Sequence, residues 1–316
     1  MVLATYRYNL GKDLYLDAYA LSPEINASTL KEMVVSKDRT SKFNLKKLEK
    51  DMTLTGWLDS FKDLRVKVST QPYQIPEELK PYRQALEAKL VAGGKFNGSV
   101  AIVNGPLQNP LNLCLGGYFD FMATKLEIIP GDLLPDKYPQ GKTIKELMPE
   151  WGMTNNQRAR FLGFAFIMHP NNGKEISLVQ RAKGLGIAAD CISSSGGTPK
   201  FDKRFFESNF NFADYYEQHV AEEMDEEYGL NKKDFLINGI FLIDDISTVP
   251  HGALKIITPV TMPELAEKSS RSKDALKEHP ILYNMPIESV RTFLNRFDMW
   301  PSVSFVLHHL DKENIK

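Results

Sequence analysis

Val220-Ala221-Glu222-Glu223-Met224-Asp225-Glu226-Glu227-Tyr228-Gly229-Leu230 is a run of carboxylates that stops at a glycine. It reads as the end of a helix that begins near residue 212, with Gly229 as its C-cap. At about 100° per residue, with Glu223 set at 0°, Glu227 falls near 40° and Glu226 near 300°. These three carboxylates share one face. Tyr216, Val220, Ala221, Met224 and Tyr228 fall between about 20° and 160°, an apolar stripe beside that face. Such a helix buries one flank against a sheet and presents its carboxylates at the edge of a cleft. Like charges at these spacings repel, which destabilises a bare helix. A hard divalent cation offsets the repulsion, and Mg²⁺ takes oxygen ligands while keeping waters and substrate phosphates in its shell. The same run could also be a solvated acidic face. The neighbouring stripe, the glycine stop and the double glycine upstream, Gly196-Gly197, weigh against that. Glu217 falls near 120°, inside the stripe. A buried carboxylate needs a cationic partner, and Arg181 or another nearby Arg or Lys is expected to supply it.

Working outward, residues 162–168 form an apolar run of buried-strand type. His169-Pro170-Asn171-Asn172-Gly173 is a turn, and residues 175–181 return as a strand. Strands are expected at 235–243 and 254–260, and a last helix at 287–296. Gly184-Leu185-Gly186 lacks a third glycine at dinucleotide-fold spacing and reads as a turn. Toward the N-terminus, Gly11-Lys12-Asp13 separates two short strands, residues 28–66 read as helical, and a helix runs from Pro76 to about Val91 before Gly93-Gly94. Strands at 99–103 and 111–115 precede the aromatic segment Gly117-Tyr118-Phe119-Asp120-Phe121. Prolines and glycines between 129 and 150 mark a long connection, and a boundary is placed near 150. The reading is α/β: an α/β sandwich over 151–316, preceded by an α+β accessory domain over 1–150.

The composition narrows the function classes. With 316 residues, 39 Lys+Arg and 40 Asp+Glu, the chain has a formal net charge of −1 and no electrostatic footprint for sequence-independent nucleic-acid binding. Two cysteines, Cys114 and Cys191, build neither a disulfide framework nor a Cys-rich zinc site. The apolar runs fall short of the roughly 20 residues that cross a bilayer, and the first residues lack a signal-peptide layout. A cytoplasmic protein without membrane association is the expectation.

At the carboxylate helix the sequence resembles the Nudix hydrolase superfamily. That family's box ends in Arg-Glu, an aliphatic residue, any residue, Glu-Glu, any residue, Gly and an aliphatic residue. Glu222-Glu223-Met224-Asp225-Glu226-Glu227-Tyr228-Gly229-Leu230 matches except at the first position, where Glu222 replaces Arg. Ser195-Gly196-Gly197-Thr198-Pro199 resembles the family's glycine loop, set further from the helix than usual by an insertion within 200–210. Asp214 falls where the family has a Glu in the first half of the box. Leu178-Val179-Gln180-Arg181 resembles the strand before the loop, and Lys277-Glu278-His279-Pro280 an acidic-His segment that follows the later strands. Lys95-Phe96-Asn97-Gly98 and Tyr118-Phe119-Asp120-Phe121-Met122-Ala123-Thr124 are similar to a branch in which a β-rich N-terminal domain precedes an irregular box. One member of that branch hydrolyses UDP-glucose and UDP-galactose with Mg²⁺.

The resemblance implies a Nudix-type α/β/α sandwich and a pyrophosphohydrolase acting on a nucleoside diphosphate linked to another moiety, such as a nucleotide sugar. It implies Glu223, Glu226 and Glu227 as ligands of Mg²⁺, with Mn²⁺ as a substitute, and a loop carbonyl from Gly196 or Gly197. Glu278 and His279 are candidates for general base. Arg181, Gly196, Gly197 and Lys200 are candidates for substrate contact, with Lys203 and Arg204 beside them. Tyr118, Phe119 and Phe121 either stack on a uracil or pack in the N-terminal core. In the family the box Arg ties the loop to the helix, so with Glu222 that lock comes from elsewhere or is lost. The alternative is a catalytically impaired module that binds nucleotides or proteins. A small-molecule nucleotide is the expected partner, and a homodimer is left open.

Overall fold

The computed structural model describes residues 3–39, 43–125, 142–183, 190–246 and 251–314. The turn expected at 184–186 and most of the 129–150 connection lie outside the described residues. Thr5–Gly11 (β1) and Leu14–Ala20 (β2) form the first hairpin. Met52–Leu58 (β3), Val66–Val68 (β4), Ser99–Val103 (β5) and Leu111–Gly117 (β6) follow. Beyond residue 150 come Gly163–His169 (β7), Glu175–Gln180 (β8), Ile192–Ser193 (β9), Ser195–Gly197 (β10), Leu236–Asp245 (β11), His251–Ile257 (β12) and Ile281–Pro286 (β13).

One large mixed sheet runs β1-β2-β13-β8-β7-β12-β11-β3, with β10 added on β7 and β9 on β8. Its centre is β7, which pairs parallel with β12 and antiparallel with β10. The period of two in a strand divides the side chains of β7 between two cores. Phe164, Phe166 and Met168 join one cluster with Tyr216, Val220, Met224 and Tyr228 of the helix Phe212–Tyr228. Ile167 joins the other, with Phe305, Val306, Leu307 and Leu310 of the helix Pro301–Asn314. A strand covered on both faces must be apolar at almost every position, and β7 is. The result is a mixed α/β protein with helices on both sides of the sheet.

The N-terminal half is not a sheet of its own. β1 and β2 extend one side of the large sheet through β13, and β3 forms the far edge on β11. The position near 150 therefore does not separate two sheets. Among the described residues, β4-β6-β5 forms a separate three-stranded sheet. It is bridged to the rest at Val100↔Lys200 and Ile102↔Phe161. Arg160, fully buried, holds the junction: it pairs with Asp244 at 2.6 Å and donates to the carbonyl of Gly105.

Two further expectations need correction. Residues 28–66 contain the helix Ala27–Lys37, but β3 is extended, its alternating burial set by Met52, Leu54 and Leu58 between outward Thr53, Thr55 and Trp57. The helix expected at 287–296 shortens to Val290–Leu294, and the final helix, Pro301–Asn314, was absent from the sequence reading. Pro301 opens that helix where a missing N–H costs nothing.

Candidate active site

The carboxylate helix starts at Asn211, whose side chain accepts from the N–H of Asp214, and ends at Gly229 in the left-handed conformation. Asp214 thus serves the helix start, where its side chain accepts from Asn211 at 2.7 Å. One flank lies on β7. The next faces β10, where Gly197 sets the distance to the helix and Gly196 the distance to β7. A Cβ on Gly196 would lie 2.0 Å from the carbonyl oxygen of Phe164, and one on Gly197 would lie 2.5 Å from the carboxylate of Glu223. Neither position accepts a side chain without displacement, and at Gly197 the group displaced would be that carboxylate.

Glu222, in the slot where an Arg would tie the loop, is exposed and accepts a bond from Gln218 on its own helix at 3.0 Å. Other residues tie helix to loop. Tyr228 donates to Oγ of Ser195 at 2.7 Å, both groups being buried. Tyr215 donates to the carbonyl of Lys200 at 2.6 Å. The tyrosine ties carried no sequence signal: Tyr228 reads as part of the apolar stripe, and nothing local marks Tyr215.

A second element completes the site. Ser272 bonds the carbonyl of Glu226 and caps the short helix Lys273–Glu278, fixing it against the carboxylate helix. The N–H of Ala182 donates to the carbonyl of Glu278 at 2.8 Å, and Arg181 approaches the Glu278 carboxylate at 3.8 Å. His279, next in the chain and 1% exposed, brings Nε2 to 3.3 Å from Oε1 of Glu227. Glu227 is 5% exposed, and its Oε2 is buried without a hydrogen-bond partner among the described residues. The ligating atoms of Glu227, Glu278 and His279 lie within 4.8 Å of one another.

Glu223 is half-buried and pushed up to about 8 by burial first, then by the charges of Glu227, Glu226, Glu278 and Glu222. His219, 3.8 Å from Glu223, is pushed down to about 4, chiefly by burial. A carboxylate this reluctant to ionise, beside a buried carboxylate oxygen with no partner, fits a bound cation. The donor set is oxygen-rich, as a hard divalent ion requires.

A cleft lined by Arg181, Ser194, Gly196, Gly197, His251 and Trp300, among others, meets the carboxylate cluster through Arg181, which approaches Glu278, and Gly197, which lies against Glu223; none of the carboxylates lines it. Nε of Arg181 is buried without a hydrogen-bond partner among the described residues, and the residue places its positive charge at the cleft wall. The structure thus brings together Glu223, Glu227, Glu278, His279, Arg181, Gly196 and Gly197. Glu226 is exposed, yet near enough to raise Glu223. Lys200 is exposed beside His219 and outside the cleft lining. Arg204 is held by Asp202. Phe119 and Phe121 are buried, Phe121 edge-on to Phe161 at 4.3 Å, so these rings pack. Glu217 pairs with Lys232 at 3.2 Å, while Arg181 is directed to Glu278. His251 and Trp300 were missed because nothing local marks them; only the sheet order and the final chain segment bring them to the cleft.

Neither a family model nor a curated protein matches the sequence. Among solved structures the chain is similar to a protein of Deinococcus radiodurans, at 8% identity and a TM-score of 0.33, over 47% of this chain and 81% of that one. It is similar to a MutT of Aliivibrio salmonicida or Vibrio cholerae at 12% identity and 0.30, over 48% and 96%. It is also similar to MutT from Methanosarcina mazei Go1 at 14% and 0.33, over 49% and 95%. Likeness at this level, across just under half of the chain, fixes neither activity nor substrate.

Proposed function

We propose that the protein is a divalent-cation-dependent pyrophosphohydrolase of Nudix type, acting on a nucleoside diphosphate linked to another moiety, with nucleotide sugars such as UDP-glucose as first candidates. The observation that carries this reading is the meeting of Glu223, Glu227 and Glu278 beside the Gly196-Gly197 strand and an Arg181-lined cleft. Glu223, Glu227 and Glu278 would hold Mg²⁺ or Mn²⁺, with Glu226 at the exposed rim. Such an ion neutralises a pyrophosphate and lowers the pKa of bound water. Arg181 supplies fixed positive charge at the cleft wall for the phosphate oxygens. Gly196 and Gly197 let β10 close on β7 and on Glu223, so the strand backbone lies directly against that carboxylate. The Glu278 oxygen not used for the ion would take the proton as water oxygen bonds to phosphorus and the anhydride P–O bond breaks. The products are two phosphorylated fragments.

The exposed Glu222 favours a second reading, a binding module without turnover. Turnover of a panel of nucleoside diphosphate sugars, dinucleoside polyphosphates and NDP-ribose, with and without Mg²⁺ or Mn²⁺, separates the two. The hydrolase reading expects cation-dependent turnover that Glu227→Gln lowers by roughly 100-fold or more. Silence across the panel with either ion, while a nucleotide still binds, supports the module.

A further inference from the structure

The pair formed by Glu227 and His279 accounts for one carboxylate oxygen and leaves the other bare. Oε1 of Glu227 meets Nε2 of His279 at 3.3 Å, whereas Oε2 is buried with no hydrogen-bond partner among the described residues. A buried carboxylate oxygen without a partner is costly, and nine-tenths of this side chain is out of solvent. Glu278 closes the third side, its ligating oxygen within 4.8 Å of both other groups. Two atoms bound side by side to one ion at about 2.1 Å stand about 3 Å apart. The separation of 3.3 Å between Nε2 and Oε1 is close to that edge, so an ion can replace the hydrogen bond there and take Oε2 as its second carboxylate oxygen.

We infer that Glu227, Glu278 and His279 form a mixed carboxylate–imidazole site for a first-row divalent transition-metal ion, bound in preference to Mg²⁺. Mg²⁺ is held by oxygen and sheds water reluctantly, whereas an imidazole nitrogen suits the transition ions. Arg181, 3.8 Å from Glu278, balances part of the charge, and the Glu278 side chain stays 40% exposed. The inference deepens the hydrolase reading and rests on it for the use of the ion, though not for its binding.

The test uses Mn²⁺ and the full chain, without substrate. Binding is followed by the electron paramagnetic resonance of free Mn²⁺, and electron spin-echo modulation reports nitrogen bonded to the ion. The expected result is ¹⁴N modulation that changes to the ¹⁵N pattern when histidine is ¹⁵N-labelled. It disappears in His279→Gln, which also weakens Mn²⁺ binding roughly tenfold or more while changing Mg²⁺ binding less. His219, 3.8 Å from Glu223, is the other imidazole near the carboxylates. Nitrogen coupling that survives His279→Gln and vanishes in His219→Gln overturns the assignment. So does Mn²⁺ bound without nitrogen coupling, and so does no Mn²⁺ binding at millimolar concentration. If His279→Gln fails to fold, the labelled native chain and His219→Gln decide: coupling retained in the latter supports His279, and coupling lost there overturns it. Turnover is assayed apart, so a chain that binds Mn²⁺ through nitrogen but cleaves no nucleotide sinks the hydrolase reading alone.

Discussion

Glu223 is pushed up to about 8 because burial and four neighbouring carboxylates disfavour its charge. The unfolded chain releases this proton near the ordinary carboxylate value of 4.5, whereas the folded chain keeps it to about 8. The contribution of protonated Glu223 is therefore complete below about pH 4.5 and lost as pH rises through 8. Cation-free protein should show a falling contribution to melting temperature across that window. Glu223→Gln should flatten the fall, with a difference of at most a few kcal/mol at pH 8. Mg²⁺ or Mn²⁺ should restore native stability at pH 8, and should raise the Gln variant less, since that variant keeps Glu227, Glu278 and His279 but has no Glu223 charge to neutralise. Thermal melts at pH 5 and pH 8, with chelator and with cation, check this; equal slopes for both proteins would remove Glu223 from the cluster. At this scale the sequence was informative about the box carboxylates, because a helix turns every i, i+3, i+4 set to one face. It was uninformative about which of them are buried. Glu226 and Glu227 are adjacent in sequence, yet one is exposed and the other 5% exposed, a distinction made by the Lys273–Glu278 helix docking over one of them.

The tie between the carboxylate helix and the β10 strand is a buried hydroxyl pair, Tyr228 to Ser195. Tyr228→Phe keeps the ring and removes the tie, leaving Ser195 buried without that donor. A loss of about 1–2 kcal/mol is expected in denaturant melts. Turnover should fall more than this loss of folded protein explains, because β10 carries the glycine against Glu223. Unchanged turnover would show that the loop is held by other contacts. Elements whose signal is local were legible: the helix Phe212–Tyr228, the turn at Pro170–Gly173 and β7 all stand where periodicity and punctuation put them. Elements whose conformation depends on distant partners were not. β3 is extended because β11 offers it a ladder, against a Lys- and Leu-rich context that reads as helix. Trp300 reaches the cleft from the far end of the chain.

Across the molecule, Arg160 is the charge that joins the small sheet to the large one. It is fully buried, pairs with Asp244 of β11 and donates to Gly105 in the connection between β5 and β6. Removing one member of a buried pair leaves the other uncompensated. Arg160→Met should therefore destabilise by about 3–5 kcal/mol, whereas replacing Arg160 and Asp244 together should cost less. Chemical denaturation of the single and double variants measures both; equal losses would show that the pair is not coupled. The sheet order has a further consequence, for synthesis. Tyr19 pairs with Leu282 and Met52 with Asp245, partners about 260 and about 190 residues apart in the chain. At roughly 5–20 residues per second, both strand segments wait on the order of ten to fifty seconds outside the ribosome before their partners exist. Through that interval β3 and the β1–β2 hairpin carry open edges and uncovered apolar faces. Yield in the cell is then governed by how these early strands are shielded, and slowing translation should lower soluble protein while leaving the stability of the finished molecule unchanged.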